Sequence, residues 1–373
     1  MHKVLYVMSS DYYSGAEIVL FNLLENNEKV APIILSGRGK VIDRAKANKV
    51  EFFQTKYLDS FKFMRVKGFR RLFMGIRNSI CLSIEVIRLV QSQKEIIAIH
   101  CNNNKVSFYC LFSVVYFSLF KRNLIRVRHN HDISYIGIPK KVRPLLDFIF
   151  GSFFNIIIVP SQATKNQIKW FQSKVTVLYN GFFLSDYMEV PKLIKRDETN
   201  DLILGIAGKI SKEKGHLLLL DVMKELHDKS IKLKIAGLVE EEFKEEFLSR
   251  LEDAGEKVEY LGFIDTMFDF YNNIDVVINA TSKELSEPLG TTLIEGLMHN
   301  KILIASKVGG STEIIEDKVN GFLFENKQEL ISILLEITNN RVEYVDGDIL
   351  EKKLPSRFYG EKMVEDYNYL LHV

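Results

Sequence analysis

Cysteine is scarce in this 373-residue chain: Cys81, Cys101 and Cys110 are an odd number and show no C-x-x-C spacing. That excludes a disulfide framework and a thiolate zinc site, and it points to a reducing compartment. Long apolar runs are missing too. The two longest uncharged stretches are residues 106–120, short of the roughly 20 needed to cross a bilayer, and 148–164, interrupted by Gly151, Asn155 and Pro160. The start, Met1-His2-Lys3 followed by the apolar run 4–8, lacks the charged segment, apolar stretch and small-residue cleavage site of a secretory leader, so a cytoplasmic protein is expected. Glycines and the seven prolines are spread along the chain, without low-complexity tracts or short-period repeats. What is present is an ordinary globular balance, 47% hydrophobic and 26% charged residues with a mean hydropathy near zero, which excludes wholesale disorder.

The net charge of +2 conceals an asymmetry. Residues 1–185 hold 27 Lys and Arg against 11 Asp and Glu, while 186–373 hold 23 against 37, so the halves carry +16 and −14. Opposite charges on two halves of this length indicate two domains with different duties, the basic one facing something anionic such as lipid headgroups, phosphates or nucleic acid.

Short β-branched runs alternate with helical stretches. In the first half they fall at 4–8, 32–35, 96–99, 124–127, 156–159 and 175–178; in the second at 202–207, 233–236, 258–261, 276–278, 302–305 and 322–324. Near-continuous apolar strands belong to parallel sheets covered on both faces. Residues 185–200, with Pro191 and a polar run, interrupt the alternation and read as a linker. The expected fold is therefore α/β, two Rossmann-like doubly wound domains facing a cleft, over residues 1–185 and 186–355.

In such sheets ligands sit beyond the carboxyl ends of the strands. After the first strand, Gly15 precedes Ala16, Glu17 and a helix over 18–24; a glycine there admits a phosphate to backbone N–H groups, or simply makes a tight turn. The first strand of the second half runs into Gly208-Lys209-Ile210-Ser211-Lys212-Glu213-Lys214-Gly215, whose lysines at 209 and 214 suit two phosphates or a solvated loop equally. Glu287-Pro288-Leu289-Gly290-Thr291-Thr292-Leu293-Ile294-Glu295 sets one carboxylate before a helix and another two turns into it, with Pro288 in the first turn and Gly290 exposing amides. The pair fits hydroxyl groups flanking a diphosphate, or a helix-dipole glutamate and an unrelated surface one. Gly309-Gly310-Ser311-Thr312-Glu313 reads as a turn with a helix cap at Ser311. Arg128-His129-Asn130-His131-Asp132 follows the strand at 124–127. It lacks a partnering ligand cluster at fixed spacing, so a histidine contacting a substrate hydroxyl or phosphate, or a plain polar loop, is preferred to a metal site.

Together these motifs resemble the retaining nucleotide-sugar glycosyltransferases of the two-Rossmann-domain (GT-B) type, the group 1, family 4-like enzymes that include mannosyl, glucosyl and N-acetylglucosaminyl transferases of bacterial glycoconjugate synthesis. Ser14-Gly15-Ala16-Glu17 looks like the family's Gly-Gly-x-Glu loop, Val159-Pro160-Ser161 and residues 177–181 like its strand ends, and residues 208–215 like G-R-x-x-x-x-K-G. Glu287 and Glu295 form its E-x7-E, followed by Gly309-Gly310-x-x-Glu313 and Asn320-Gly321. The resemblance implies Gly15 and Gly208 at the diphosphate, Lys209 and Lys214 at the phosphates, His129 and Glu287 at the donor sugar, Leu289, Gly290 and Thr291 as backbone contacts, and Glu295 at the ribose. His131 competes with His129 for its role. Two departures stand out: Ser14 replaces a glycine, and Lys209 replaces an arginine, a point charge for a bidentate fork.

The implied activity is transfer of a sugar from a UDP- or GDP-sugar to a lipid-linked or growing glycan acceptor, with retention of configuration, no metal, no cofactor beyond the donor and no protein nucleophile; the lysines and helix amides stabilise the leaving diphosphate. A non-catalytic nucleotide-sugar-binding subunit and a sugar-nucleotide epimerase or hydrolase are the alternatives. Residues 61–77 carry six basic and no acidic residues among Phe, Met and Leu, the composition of an amphipathic segment on an anionic membrane, or of a core helix with a basic face. No nucleic-acid-reading module accompanies it, so the protein is expected at the inner face of the cell membrane. The resemblance also implies that a final helix over 357–371, with Phe358, Met363, Tyr367 and Leu370 at helical spacing, packs back on the first domain.

Overall fold

The computed structural model describes residues 1–9, 15–58, 69–121, 123–131, 143–183, 201–264, 266–283, 287–340, 342–346 and 354–373. The expected linker at 185–200, Ser14, Asp132 and residues 61–68 of the basic segment lie outside these. The chain divides into two compact units, Met1–Phe183 with Arg357–Val373, and Leu184–Ser356.

The first unit is built on seven parallel strands: β1 (His2–Met8), β2 (Val30–Ser36), β3 (Glu51–Gln54), β4 (Ile96–Cys101), β5 (Ile125–His129), β6 (Ile156–Val159) and β7 (Val175–Val177). They are ordered β3-β2-β1-β4-β5-β6-β7, which puts the topological switch between β1 and β4. Side chains alternate across the sheet. Leu5 and Val7 enter one apolar cluster with Ile33, Leu35, Ile99 and Leu82, while Val4, Tyr6 and Met8 enter another with Leu20, Phe21, Ile34 and Ala98. The second cluster is closed by the C-terminal helix Gly360–Leu371, which contributes Met363, Tyr367 and Leu371. Of the expected anchors Leu370 is only partly buried, and Leu371 takes the buried place; Phe358 sits in the 3-10 turn before the helix. Gly181 and Gly360 let the two segments of the chain meet there, since a Cβ on Gly181 would stand 2.8 Å from Gly360 Cα.

The helix Phe69–Ser92 buries Leu82, Val86 and Val90. Phe73, Ile76, Ile80 and Ile84, at spacings that share one helical face, are exposed together with Arg77 and Arg88.

The second unit has β8 (Leu202–Ala207), β9 (Ile231–Ala236), β10 (Val258–Gly262), β11 (Val276–Asn279), β12 (Ile302–Ser306) and β13 (Phe322–Phe324), all parallel, in the order β10-β9-β8-β11-β12-β13. Its switch lies between β8 and β11. The α/β doubly wound expectation holds for both units. The strand absent from it is β3, a four-residue edge strand with polar ends and largely exposed side chains.

Candidate active site

In the second unit the loops after β8 and β11, the strands flanking the switch, are joined. Gly215 has φ +76 and caps the helix His216–Glu225; a Cβ there would lie 1.9 Å from Ala280 O, so only glycine permits this approach. The Ser282 N–H donates to Glu213 O at 2.7 Å. These contacts carry Lys214 to Glu287, 73 residues away in sequence. Glu287 Oε2 accepts from Lys214 Nζ at 2.9 Å and Asn279 Nδ2 at 3.1 Å, and the Thr281 hydroxyl lies 2.8 Å away. That hydroxyl is also 2.7 Å from Asn279 Oδ1, so its single proton serves one oxygen at a time. Burial pushes the Glu287 carboxyl up, but the Lys214 ammonium and the bonds from Lys214, Asn279 and Thr281 outweigh it and hold the group below the usual carboxylate range.

The backbone of Glu287–Leu289 rests on the glycine pair. Gly310 N–H donates to Glu287 O at 2.8 Å, and a Cβ on Gly309, at φ +56, would be 2.1 Å from that oxygen. The pair is therefore a seat for the Glu287 loop, and the cap of the short helix Ser311–Ile314 is Gly310, with Ser311 already inside it. The helix after Glu287 also differs from expectation. It spans Thr291–Met298 and is capped by Gly290 at φ +88, so Pro288 stands outside it and Glu295 lies one turn in rather than two. Proline at 288 lies in a bend before the cap, and the left-handed glycine sets where the helix starts.

Glu295 is partly buried. Burial raises its carboxyl above the usual range, and the Tyr271 hydroxyl, donating to Oε2 at 2.6 Å, offsets this in part. Tyr271 is held by His299, whose ring stacks on it at 4.8 Å. Gly208 has φ +134 and open space where a Cβ would stand. Lys209 extends into solvent and pairs with Glu240, so the structure groups Lys214 with Glu287 and leaves Lys209 apart from them.

In the first unit Gly15 is the first residue of the helix Gly15–Glu25, and nothing lies within 4 Å of a Cβ built on it. Packing does not require glycine there, unlike at Gly215 or Gly309. His129 is a strand residue, because β5 runs two residues beyond expectation, pairing Arg128 with Cys101 and His129 with Ile158. Arg128 is absorbed into structure, bonding Asn104 Oδ1 at 2.9 Å and Asp147 at 3.3 Å and lying over the Phe150 ring. His129 Nδ1 is 3.2 Å from His100 Nε2, and its ring packs on His131 at 3.9 Å. His131 Nε2 donates to Asn102 Oδ1 at 2.9 Å. Burial, with His131 and His100 adding to it, keeps the His129 imidazole well below its ordinary range and hence neutral; burial alone brings His131 to about 4. Among the described residues His129 Nε2, Asn102 Nδ2 and Asn130 Oδ1 are buried with no hydrogen-bond partner.

Sequence reasoning missed Asn279, Thr281, Tyr271 and His100. Asn279 ends an apolar strand, which was the one available signal; the others are placed by strand pairing and helix packing. Among the described residues no group of three or more His, Cys, Asp or Glu side chains is placed to hold a metal ion, and no helix is long and apolar enough to cross a membrane.

Two parallel sheets, each doubly wound with its helices, give the GT-B fold. HepE of Anabaena, solved with UDP and glucose, superposes with a TM-score of 0.78 at 19% identity over 100% of both chains; the lipopolysaccharide outer core galactosyltransferase WaaB gives 0.70 at 15%, over 100% of this chain and 99% of that one. Residues 192–346 match the family model for glycosyl transferases group 1. The lipopolysaccharide 1,2-N-acetylglucosaminetransferase of Salmonella typhimurium is 28% identical over 223 residues, 52% of this chain and 55% of that one. An uncharacterized glycosyltransferase of Methanocaldococcus jannaschii is 30% identical over 56% of each. The chain thus spans about half the length of these two relatives.

Proposed function

We propose that the protein is a retaining, metal-independent glycosyltransferase that moves a sugar from a UDP- or GDP-sugar to a lipid-linked or growing glycan acceptor in cell-surface polysaccharide or glycoconjugate synthesis. The observation that carries the reading is the Lys214–Glu287 cluster, with Glu295 one turn into the helix that follows. In this assignment the second unit binds the donor. The Glu295 carboxylate accepts from the ribose hydroxyls, and the Glu287 oxygens accept from the donor sugar. The Gly208 amide, the backbone at Leu289, Gly290 and Thr291, and the ammonium of Lys214 meet the diphosphate. Negative charge builds on the diphosphate as the anomeric bond breaks; Lys214, with the exposed ammonium of Lys209, stabilises it where a metal would otherwise be needed. The Lys214–Glu287 bond serves this by holding the ammonium in place before the donor arrives.

The first unit is assigned to the acceptor. Gly15 supplies a backbone approach to the diphosphate and His129 a hydrogen bond to the donor sugar. The exposed Phe73, Ile76, Ile80 and Ile84 with Arg77 and Arg88 suit an anionic membrane surface at the cytoplasmic face, where a lipid-linked acceptor is presented.

The test is a panel of UDP- and GDP-sugars with and without lipid-linked and oligosaccharide acceptors, in excess chelator, with the product anomer read by NMR. Acceptor-dependent transfer with retention is expected. Donor turnover without acceptor would instead make the protein an epimerase or hydrolase, and binding without turnover a supporting subunit.

A further inference from the structure

A strained turn in the first unit presents the chain's single tryptophan to solvent. After the helix Gln162–Gln167 the chain reverses toward β7 through Phe171, a non-glycine residue at φ +56. An aromatic residue in the left-handed region is strained, so its contacts must hold it there. The Phe171 ring lies against the backbone of Gly151, where a Cβ would stand 2.3 Å from Phe171 Cδ2, and Lys174 Nζ sits over the ring, 4.8 Å from its centroid. That ammonium donates to Gly151 O at 2.7 Å and Phe154 O at 3.0 Å, while the Lys174 N–H donates to Phe171 O at 2.8 Å. The Gln172 side chain closes the turn on Ile168 O. With Phe171 anchored in this way, Trp170 stays 47% exposed and packs edge-on to Phe148 of the helix Arg143–Phe153, ring centroids 5.6 Å apart. Phe148 is exposed in turn, as is Leu145 one turn earlier.

Charge and position indicate what covers this apolar patch. Residues 148–185 contain no Asp or Glu, and Lys165 and Lys169, which precede Trp170, form no ion pair among the described residues. Asp147, the acid on the neighbouring helix, is paired with Arg128. A second copy of the same surface would bring like charges together, whereas an anionic bilayer offers the opposite charge. An indole, with an apolar body and a polar N–H, suits the level of lipid headgroups. The patch also adjoins the exposed face of the helix Phe69–Ser92. Both that helix and Arg143–Phe153 close the same apolar cluster on one face of the sheet, through Leu82 and Val86 on one and Phe150 on the other, and the helix Leu111–Phe120 packs against both.

We propose that the Trp170 turn is a membrane-interface anchor: Trp170, Phe148 and Leu145 enter the headgroup region of an anionic bilayer, and Lys165 and Lys169 meet its lipid phosphates. It gives the first unit a second point of contact beside the helix Phe69–Ser92, and two points fix an orientation that one leaves free. The continuity with that helix rests on the function proposed above; the turn, the patch and its charge do not.

The test uses the full chain without donor or acceptor and reads Trp170 itself, since no other tryptophan contributes to the emission. Phosphatidylcholine vesicles containing phosphatidylglycerol should shift the emission to the blue, and bromines on the lipid acyl chains should quench it. Raising salt should reverse both changes. In co-sedimentation with the same vesicles Trp170→Ser should lower partitioning about tenfold or more, the effect of withholding about 100 Å² of apolar surface from the bilayer. Lys165→Gln with Lys169→Gln should lower it by a similar factor at low salt. Unchanged Trp170 emission on vesicles that carry the protein down overturns the proposal and leaves the helix Phe69–Ser92 as the membrane contact. Emission that changes with protein concentration alone, or with soluble maltooligosaccharides and not with vesicles, overturns it too and assigns the patch to a second copy or to a glycan. Absence of vesicle binding removes both membrane contacts, while the transferase reading is decided separately by the transfer assay.

Discussion

Replacing Lys214 by methionine leaves Glu287 Oε2 with two neutral donors, Asn279 and Thr281, in place of two neutral donors and an ammonium. The carboxylate is buried, and the lysine is only about a third exposed, at 32% of its side chain, so solvent screens the pair weakly. Two unit charges near 3–4 Å in an effective dielectric of 20 attract by roughly 4 kcal/mol before desolvation and side-chain ordering are subtracted. A net loss of about 1.5–3 kcal/mol follows, the range for a hydrogen bond to a charged group. Glu287→Gln should cost a similar amount, and the double variant should not cost their sum, because the second substitution removes a group already deprived of its partner. A coupling energy of about 1.5–3 kcal/mol is expected. The single tryptophan, Trp170, lies in the first unit, so amide hydrogen exchange in β8 and β11 is the suitable readout. Strictly additive costs would refute the reasoning, since they would mean that the ammonium and the carboxylate are independent in solution. The sign with pH is fixed as well: the Glu287 carboxyl is depressed on folding, so its contribution is complete above the unfolded carboxylate range and disappears as pH falls through its folded value.

The other predictions concern separate groups. Glu295 is raised on folding, so its protonated form favours the folded state below the unfolded carboxylate value, and that advantage is lost as pH rises through the folded one. Glu295→Gln should therefore unfold at higher temperature than the wild type at neutral pH, by about 2–4 °C per kcal/mol of relieved charge burial, and the gap should close in acid; calorimetric scans at both pH values check it. Ile80→Gln with Ile84→Gln should weaken sedimentation with anionic vesicles while leaving nucleotide affinity unchanged, and the wild type should release as salt rises; equal partitioning of both proteins would remove the membrane role.

Much of the architecture is readable in the chain because parallel strands covered on both faces are written as local apolar runs, and twelve such runs coincide with strands. β3 escaped because an edge strand needs no such run: Glu51 and Gln54 face water and only Phe52 packs. Lys214, Glu287 and Glu295 were readable through spacing and family resemblance, since each sits at a fixed offset from a glycine or a strand end. Their partners were not. Asn279, Thr281 and Tyr271 converge on them through strand pairing and packing, and His100 meets Tyr367 only when the last helix closes the apolar face of the first sheet. Pro288 misled because a proline fits the first turn of a helix and a bend before it equally well, and the left-handed Gly290 decides between them.

In the function proposed above, the end of β11 and the helix after it hold a nucleoside diphosphate through Glu295. Calorimetric titration of UDP and of GDP into the full chain, wild type and Glu295→Ala, tests it directly. Saturable one-to-one binding of one of the two is expected, weakened about tenfold or more in the variant, as loss of a charged acceptor for a hydroxyl pair requires. Failure of both nucleotides to bind, or equal affinity in a folded Glu295→Ala variant, would contradict it.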